Sequence, residues 1–132
     1  MTGSHVHLRV TDLRAAVQWL DHVWQVRPTF ENDRMASVPF GPIALILDAS
    51  ATDTHATVGY DSDDCDEDFR SVMSRGAIAL EPPSDRPWGV RAAYIQGPGA
   101  LTFQIEQQLR RAVAAAPSAV VAVEQPAQTT EN

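Results

Sequence analysis

An internal repeat constrains the fold of this chain more than any other feature of its sequence. The segment GPGAL, residues 97–101, echoes the segment GPIAL, residues 41–45. Each copy closes the same predicted order of elements, which is one strand, one amphipathic helix and three further strands. Neither half is long enough to bury both faces of its own sheet. We therefore expect the two halves to pair with each other or with a second subunit.

A change of periodicity marks the start of the first copy. In SHVHLRV, apolar and polar side chains alternate, with His5 and His7 on the polar face, which predicts a strand. In the next segment, TDLRAAVQWLDHVWQV, apolar residues recur at spacings of three and four, which predicts a helix. Thr11 or Asp12 is placed to cap this helix, and Pro28 is expected to end it.

The second copy begins in the same way, with a strand headed by His55 and then a helix within DDCDEDFRSVMSRG, whose C-cap is Gly76. The acidic run at 61–68 lacks the ligand spacing and the glycine of a calcium loop. It is better explained as the start of this helix, where carboxylates complement the exposed amides. Cys65 lies inside the run, and the neighbouring negative charge disfavours its thiolate, so a nucleophilic role is not expected.

Composition narrows the possible partners. The net charge is −7 and the chain contains no lysine, which argues against binding to nucleic acid and permits a cationic small molecule. No segment is apolar enough to span a membrane, and the N-terminus does not have the form of a signal peptide. The single cysteine cannot form an internal disulfide. These features predict a cytoplasmic protein without a membrane partner.

Two stretches resemble the vicinal oxygen chelate superfamily, which includes glyoxalase I, extradiol dioxygenases, methylmalonyl-CoA epimerase and the fosfomycin and bleomycin resistance proteins. HVHLRVTDLRAAVQWLDHVWQV resembles its opening strand and helix. PWGVRAAYIQGPGALTFQIEQ resembles its closing hairpin, with Gly97-Pro98-Gly99 in place of the common Asp-Pro-Asp-Gly turn. The resemblance covers about residues 4–107. It implies an α+β fold in which two βαβββ units form a cup-shaped mixed sheet, completed in a homodimer (the glyoxalase/bleomycin resistance/dihydroxybiphenyl dioxygenase fold).

The resulting domain organisation is one glyoxalase-like domain, residues 1–107, built of repeats at about 4–48 and 54–107. Residues 108–132 form an Ala/Val/Pro-rich extension. We expect residues 106–115 to continue as a helix that Pro117 stops. The segment SAVVAV is either a strand added to a neighbour or part of a loose tail, and the loose tail is favoured.

The resemblance also implies a metal site, because metal-binding members take one ligand from each opening strand and one from each closing strand. His5 and His55 fall on the two opening-strand positions. Gln104 falls on the last closing-strand position, where glutamate is usual. An amide oxygen can coordinate a hard cation but adds no charge, so Glu106, on the same face, is a fallback ligand. The implied cofactor is a divalent metal such as Zn, Ni, Mn or Fe.

The matching position on the first closing strand is ambiguous from the sequence. Aligning the two GPxAL segments places Asp48 opposite Gln104 and restores a carboxylate. Sliding the alignment by two or three residues places Leu45 or Ile46 there instead, and neither side chain can coordinate a metal.

These positions imply a metal-dependent enzyme of the lyase, isomerase or dioxygenase type, acting on a small molecule with neighbouring oxygens. The metal would act as a Lewis acid, and Asp48 or Glu106 would be the catalytic group that moves the proton. His7, Trp88 and Arg91 are the residues expected to line the ligand pocket. The alternative is a metal-free protein that sequesters a small molecule or antibiotic, as bleomycin resistance proteins do.

Overall fold

The computed structural model describes residues 3–109 and 119–123 as two mixed β-sheets with two helical segments. The strands are β1 (Ser4–Val10), β2 (Phe30–Glu31), β3 (Met35–Phe40), β4 (Ile43–Ala49), β5 (Ala56–Asp61), β6 (Ile78–Asp85), β7 (Val90–Gln96), β8 (Leu101–Gln108) and β9 (Ala119–Val123). The helices are α1 (Leu13–Trp19), which continues as a π-helical segment (Leu20–Trp24), and α2 (Cys65–Ser74).

Each sheet is one of the two predicted βαβββ units. The first sheet has the strand order β1-β4-β3-β2, and the second has the order β6-β7-β8-β5-β9. In both units the opening strand lies parallel to the closing strand, β1 beside β4 and β5 beside β8, while the remaining pairs are antiparallel. The α+β prediction with two repeated units is therefore confirmed, and the two mixed sheets fit a cup-shaped arrangement.

Both helices begin at aspartate caps. Asp12 accepts a hydrogen bond from the backbone N–H of Ala15 at 3.0 Å and so caps α1. Asp64 caps α2 in the same way, accepting from the N–H of Glu67 at 3.1 Å. Three further acidic residues lie in the first turn of α2. The acidic run therefore caps this helix, as predicted. The first helical segment ends earlier than predicted, because Gln25 adopts a left-handed backbone with φ 59°.

The two units share one hydrophobic core. Phe103 of β8 is fully buried, and its ring lies 5.5 Å from Phe40 of the first sheet and 5.0 Å from Trp19 of α1, centroid to centroid. Trp24 joins the same cluster and packs against Tyr60 of β5 at 5.4 Å. Each sheet turns one face to this common core, and the other face of each sheet lies away from it. We call these the outward faces.

The C-terminal region differs from its prediction. Residues 106–108 belong to strand β8 and not to a helix, because β7 pairs with β8 as far as Gln108. The rest of the predicted helix, including Pro117, lies outside the described residues. Within SAVVAV, β9 pairs antiparallel with β5, with Val121 opposite Val58. The added-strand interpretation is therefore the one observed. In the described part of the chain, no helix is long and apolar enough to cross a membrane.

Candidate functional site

His5, His7 and Asp48 gather on the outward face of the first sheet. His5 and His7 alternate along β1 with the buried Leu8, so both imidazoles lie away from the core. Their ring centroids are 5.3 Å apart at an interplanar angle of 75°. Asp48, on the neighbouring strand β4, lies 2.8 Å from His7, measured from Oδ2 to Nδ1. This face therefore brings two imidazoles and one carboxylate together.

The strand register answers the question of which residue of β4 matches Gln104. Asp48 lies opposite Arg9, four residues after His5, and Gln104 lies opposite Gly59, four residues after His55. The two units therefore place a histidine and a polar closing-strand residue in the same relation. Leu45 is fully buried in the core, whereas Ile46 faces outward opposite His7.

The outward face of the second sheet carries a different set of polar groups. The Gln104 amide donates to the Tyr94 hydroxyl at 3.1 Å, across the β7–β8 ladder. The guanidinium of Arg86 lies 5.6 Å from the centroid of the Tyr94 ring and binds Glu81 at 2.7 Å. His55 lies one residue before β5 and is exposed. Tyr94 and Arg86 were missed by the sequence analysis, although Tyr94 becomes identifiable once its register with Gln104 is known.

Glu106 lies on the same face, beyond Gln104, and is half-buried. Burial raises the pKa of its carboxyl above the ordinary glutamate value, and the negative charge of Asp61 raises it further. Asp61 is the partner of Glu106 in the parallel β5–β8 register. A carboxyl group with a raised pKa is better suited to hold and release a proton near neutral pH.

This shift predicts a pH-dependent gain in stability for Glu106→Gln. A group whose pKa is higher in the folded state than in the unfolded state stabilises the fold at pH values below its unfolded-state pKa. This stabilisation is lost as the pH rises through the folded-state pKa. The variant should therefore unfold at higher urea concentration than the unmodified chain at pH 7, and the difference should shrink on acidification to about pH 4. Urea titrations across this range, with the exposed Glu31→Gln as a control, would check it. If the difference in urea midpoint between Glu106→Gln and the unmodified chain were the same at all pH values, the pKa of Glu106 would not be raised in the folded state.

The candidate ligands of the two units lie on two separate sheets. His5 and Asp48 lie on the outward face of the first sheet, and Gln104 lies on the outward face of the second. Within residues 3–109 and 119–123, no group of three His, Cys, Asp or Glu side chains is placed to hold a metal ion. One chain therefore presents two separate half-sets of polar residues.

Arg91 does not lie on the outward face of the second sheet, which carries Tyr94 and Gln104. It lies three residues before Tyr94 on β7 and therefore points to the opposite face of the second sheet. Its guanidinium binds Asp66 of α2 at 2.9 Å and Asp85 of β6 at 2.8 Å. This contact ties the helix to the sheet. Trp88, in the β6–β7 turn, has 66% of its surface exposed and so is free to contact a ligand.

Cys65 is buried at the start of α2, where its thiol lies 3.5 Å from the carbonyl oxygen of Ile105. Burial, and then the charge of Asp66, raises the pKa of this thiol to about 11. The neutral thiol therefore dominates near neutral pH, which disfavours a nucleophilic role.

Comparison with solved structures places this arrangement among known folds. A glyoxalase/bleomycin resistance protein/dioxygenase from Nocardioides superposes with a TM-score of 0.71 at 19% identity, over 83% of this chain and 84% of that one. The chain has the glyoxalase/bleomycin resistance/dioxygenase fold. TioX from Micromonospora sp. ML1 shares this fold, with a TM-score of 0.69 at 24% identity over 83% of this chain and 100% of its own.

A third protein of this fold, a glyoxalase-related enzyme from Fulvimarina pelagi, superposes over more of the chain. Its TM-score is 0.71 at 14% identity, over 91% of this chain and 97% of its own. No family model and no curated protein matches the sequence. At these identities the likeness establishes the fold alone, so activity has to be argued from the residues on the two outward faces.

Proposed function

We propose that this chain is a metal-dependent enzyme acting on a small molecule with neighbouring oxygens, of the lyase, isomerase or dioxygenase type. The observation that supports this most is the repeated geometry of the two units. Each has a histidine at the opening strand and a polar residue, Asp48 or Gln104, opposite the position four residues further on. A repeated polar pair on an outward sheet face is not needed for packing, because the core lies on the other face.

The donor chemistry of these residues suits a divalent metal such as Zn, Ni, Mn or Fe. His5 and His55 offer imidazole nitrogens, Gln104 offers an amide oxygen, and Asp48 or Glu106 supplies negative charge. The two half-sets lie on separate sheets, and the described residues hold no group of three His, Cys, Asp or Glu side chains placed to bind a metal, so a site using both could form where the first sheet of one copy faces the second sheet of another. We therefore propose a homodimer. A bound divalent ion supplies Lewis-acid polarisation of the substrate oxygens.

The chain's own residues would transfer the proton and orient the amide ligand. Asp48 and Glu106 are the candidate proton-transfer groups, since Gln104 cannot take up a proton at neutral pH. Burial raises the pKa of the Glu106 carboxyl, which suits it to donate a proton. Tyr94 fixes the amide of Gln104 through their hydrogen bond, so the amide orientation is set before a ligand arrives.

Metal retention tests this proposal. We expect the unmodified protein, dialysed without chelator, to retain stoichiometric metal by elemental analysis. Because each histidine supplies a ligand, His5→Ala and His55→Ala should each lower the retained metal to below about a tenth. His22→Ala, which removes a histidine from the π-helical segment, is the matched control and should retain metal. Unchanged metal content in both ligand variants would rule the proposal out.

A metal-free sequestering protein is the second candidate. Two observations favour it: position 104 carries an uncharged amide and not a carboxylate, and Trp88 presents a large exposed aromatic surface beside the hairpin. In that case Trp88→Ala should weaken binding of bleomycin, used as the probe, by about tenfold, because an aromatic contact is lost. Fluorescence titration would measure this, with the exposed Phe30→Ala as a control. Equal affinity of Trp88→Ala and the unmodified chain would count against this function.

A further inference from the structure

We propose that His5 and His7 together form a metal-loading pair within one chain, in which Asp48 orients His7 and is not itself a ligand. This inference rests on the proposed metal-dependent function and assigns part of its site. It differs from the set implied by the resemblance, in which His7 lines the ligand pocket without binding the metal and Asp48 is a candidate for completing the site. The observation that leads to it is the contact between Asp48 and His7.

The hydrogen bond fixes which nitrogen of His7 is available. An ionised carboxylate can only accept, so the 2.8 Å contact requires Nδ1 of His7 to carry the proton. In the neutral imidazole this leaves the lone pair on Nε2. A carboxylate that holds the far nitrogen of a histidine is the usual support for an imidazole that binds a metal through its other nitrogen. Asp48 therefore prepares Nε2 of His7 for coordination.

The position of His5 supplies the second donor. His5 and His7 are two residues apart on one strand and therefore share a face, with ring centroids 5.3 Å apart. Both are exposed, so an ion can reach them without opening the core. Two neighbouring imidazoles on a rigid strand form a chelating pair that the first unit provides alone.

Two imidazoles alone do not complete the coordination of a metal ion. The two half-sets could therefore bind the ion one after the other. The described part of the chain has no third His, Cys, Asp or Glu placed to complete a site with them. The ion would therefore keep water in its remaining positions, which a second copy could replace with His55 and Gln104. The loading pair takes up the ion first, and pairing of two copies completes the coordination.

Titration of the full-length chain with Zn²⁺ at a concentration that favours monomers tests the pair. We expect His7→Ala to weaken Zn²⁺ binding about 100-fold, as loss of a ligand does, and Asp48→Ala about tenfold, as loss of an orienting carboxylate does. His7→Gln keeps a donor for Asp48 but lacks Nε2, and it should bind as weakly as His7→Ala. The control His22→Ala should bind like the unmodified chain.

Nitrogen NMR of the imidazoles gives a readout that does not depend on affinity. On addition of Zn²⁺, the Nε2 resonance of His7 should shift while Nδ1 remains protonated. Binding that survives in both His7 variants and is lost in His55→Ala would overturn the loading pair and leave the metal-dependent function standing. Absence of any Zn²⁺ binding by the unmodified chain would overturn both.

Discussion

Replacing Phe103 with alanine is expected to lower the free energy of unfolding by about 4 kcal/mol, within the range measured for buried phenylalanines. Phe103 is fully buried where the two units meet. Its ring contacts Trp19 and Trp24 from the first helical segment and Phe40 from the first sheet, at centroid distances of 5.0, 5.8 and 5.5 Å. Because these rings are rigid and pack against one another, they cannot collapse fully into the space left behind.

Urea denaturation followed by tryptophan fluorescence would measure this loss, since two tryptophans border the substituted side chain. A destabilisation of this size corresponds to a fall in melting temperature of about 15 °C or more for a domain of this size. Phe30→Ala is the matched control, because Phe30 has 52% of its surface exposed, and it should change stability by less than about 0.5 kcal/mol. Equal effects of the two substitutions would mean that the units do not share a core through Phe103.

The repeated fold could be predicted from the sequence because the signals are local. Alternation in residues 4–10 and helical spacing after Asp12 depend only on neighbours along the chain. The alignment of the two GPxAL segments also matches Asp48 with Gln104, and each of these residues lies opposite the position four residues after the histidine of its own unit. Capping by Asp64 was predictable for the same reason, since a cap and its helix are adjacent in sequence.

Contacts between distant strands were not predictable in the same way. The bond between His7 and Asp48 joins residues that are 41 positions apart, and neither residue type indicates its partner. Periodicity shows that His5 and His7 share a face, but it does not show which strand lies beside them or that Asp48 reaches the His7 ring.

Two further differences have physical causes of the same kind. The predicted helix from residue 106 rests on local propensity, and strand pairing along β7 overrides it as far as Gln108. Arg91 was expected to line the ligand pocket, and in the structure its guanidinium binds two acidic side chains, Asp66 and Asp85. Tertiary partners decide both outcomes, and they do not lie next to these residues in the sequence.

The turn before β8 carries the second large expected effect, because a side chain at Gly97 would collide with Phe103. A Cβ atom at Gly97 would lie 2.8 Å from two ring atoms of Phe103 and 3.0 Å from the carbonyl oxygen of Leu101. Contacts this short force either the backbone at residue 97 or the ring of Phe103 to move, and the ring is held in place by the surrounding aromatic side chains. Gly97→Ala should therefore lower the free energy of unfolding by about 2–3 kcal/mol, as overpacking of a buried site does.

A double-mutant cycle separates this collision from any effect of the turn itself. Gly97 is not among the glycines with a positive φ, so backbone geometry alone should accept a side chain there. Combined with Phe103→Leu, which removes the ring, Gly97→Ala should cost at least about 1 kcal/mol less than it does alone. Gly3→Ala, with no atom within 4 Å of its Cβ, is the control and should be neutral. Strict additivity of the two changes would show that Gly97 is required by the backbone and not by the aromatic core.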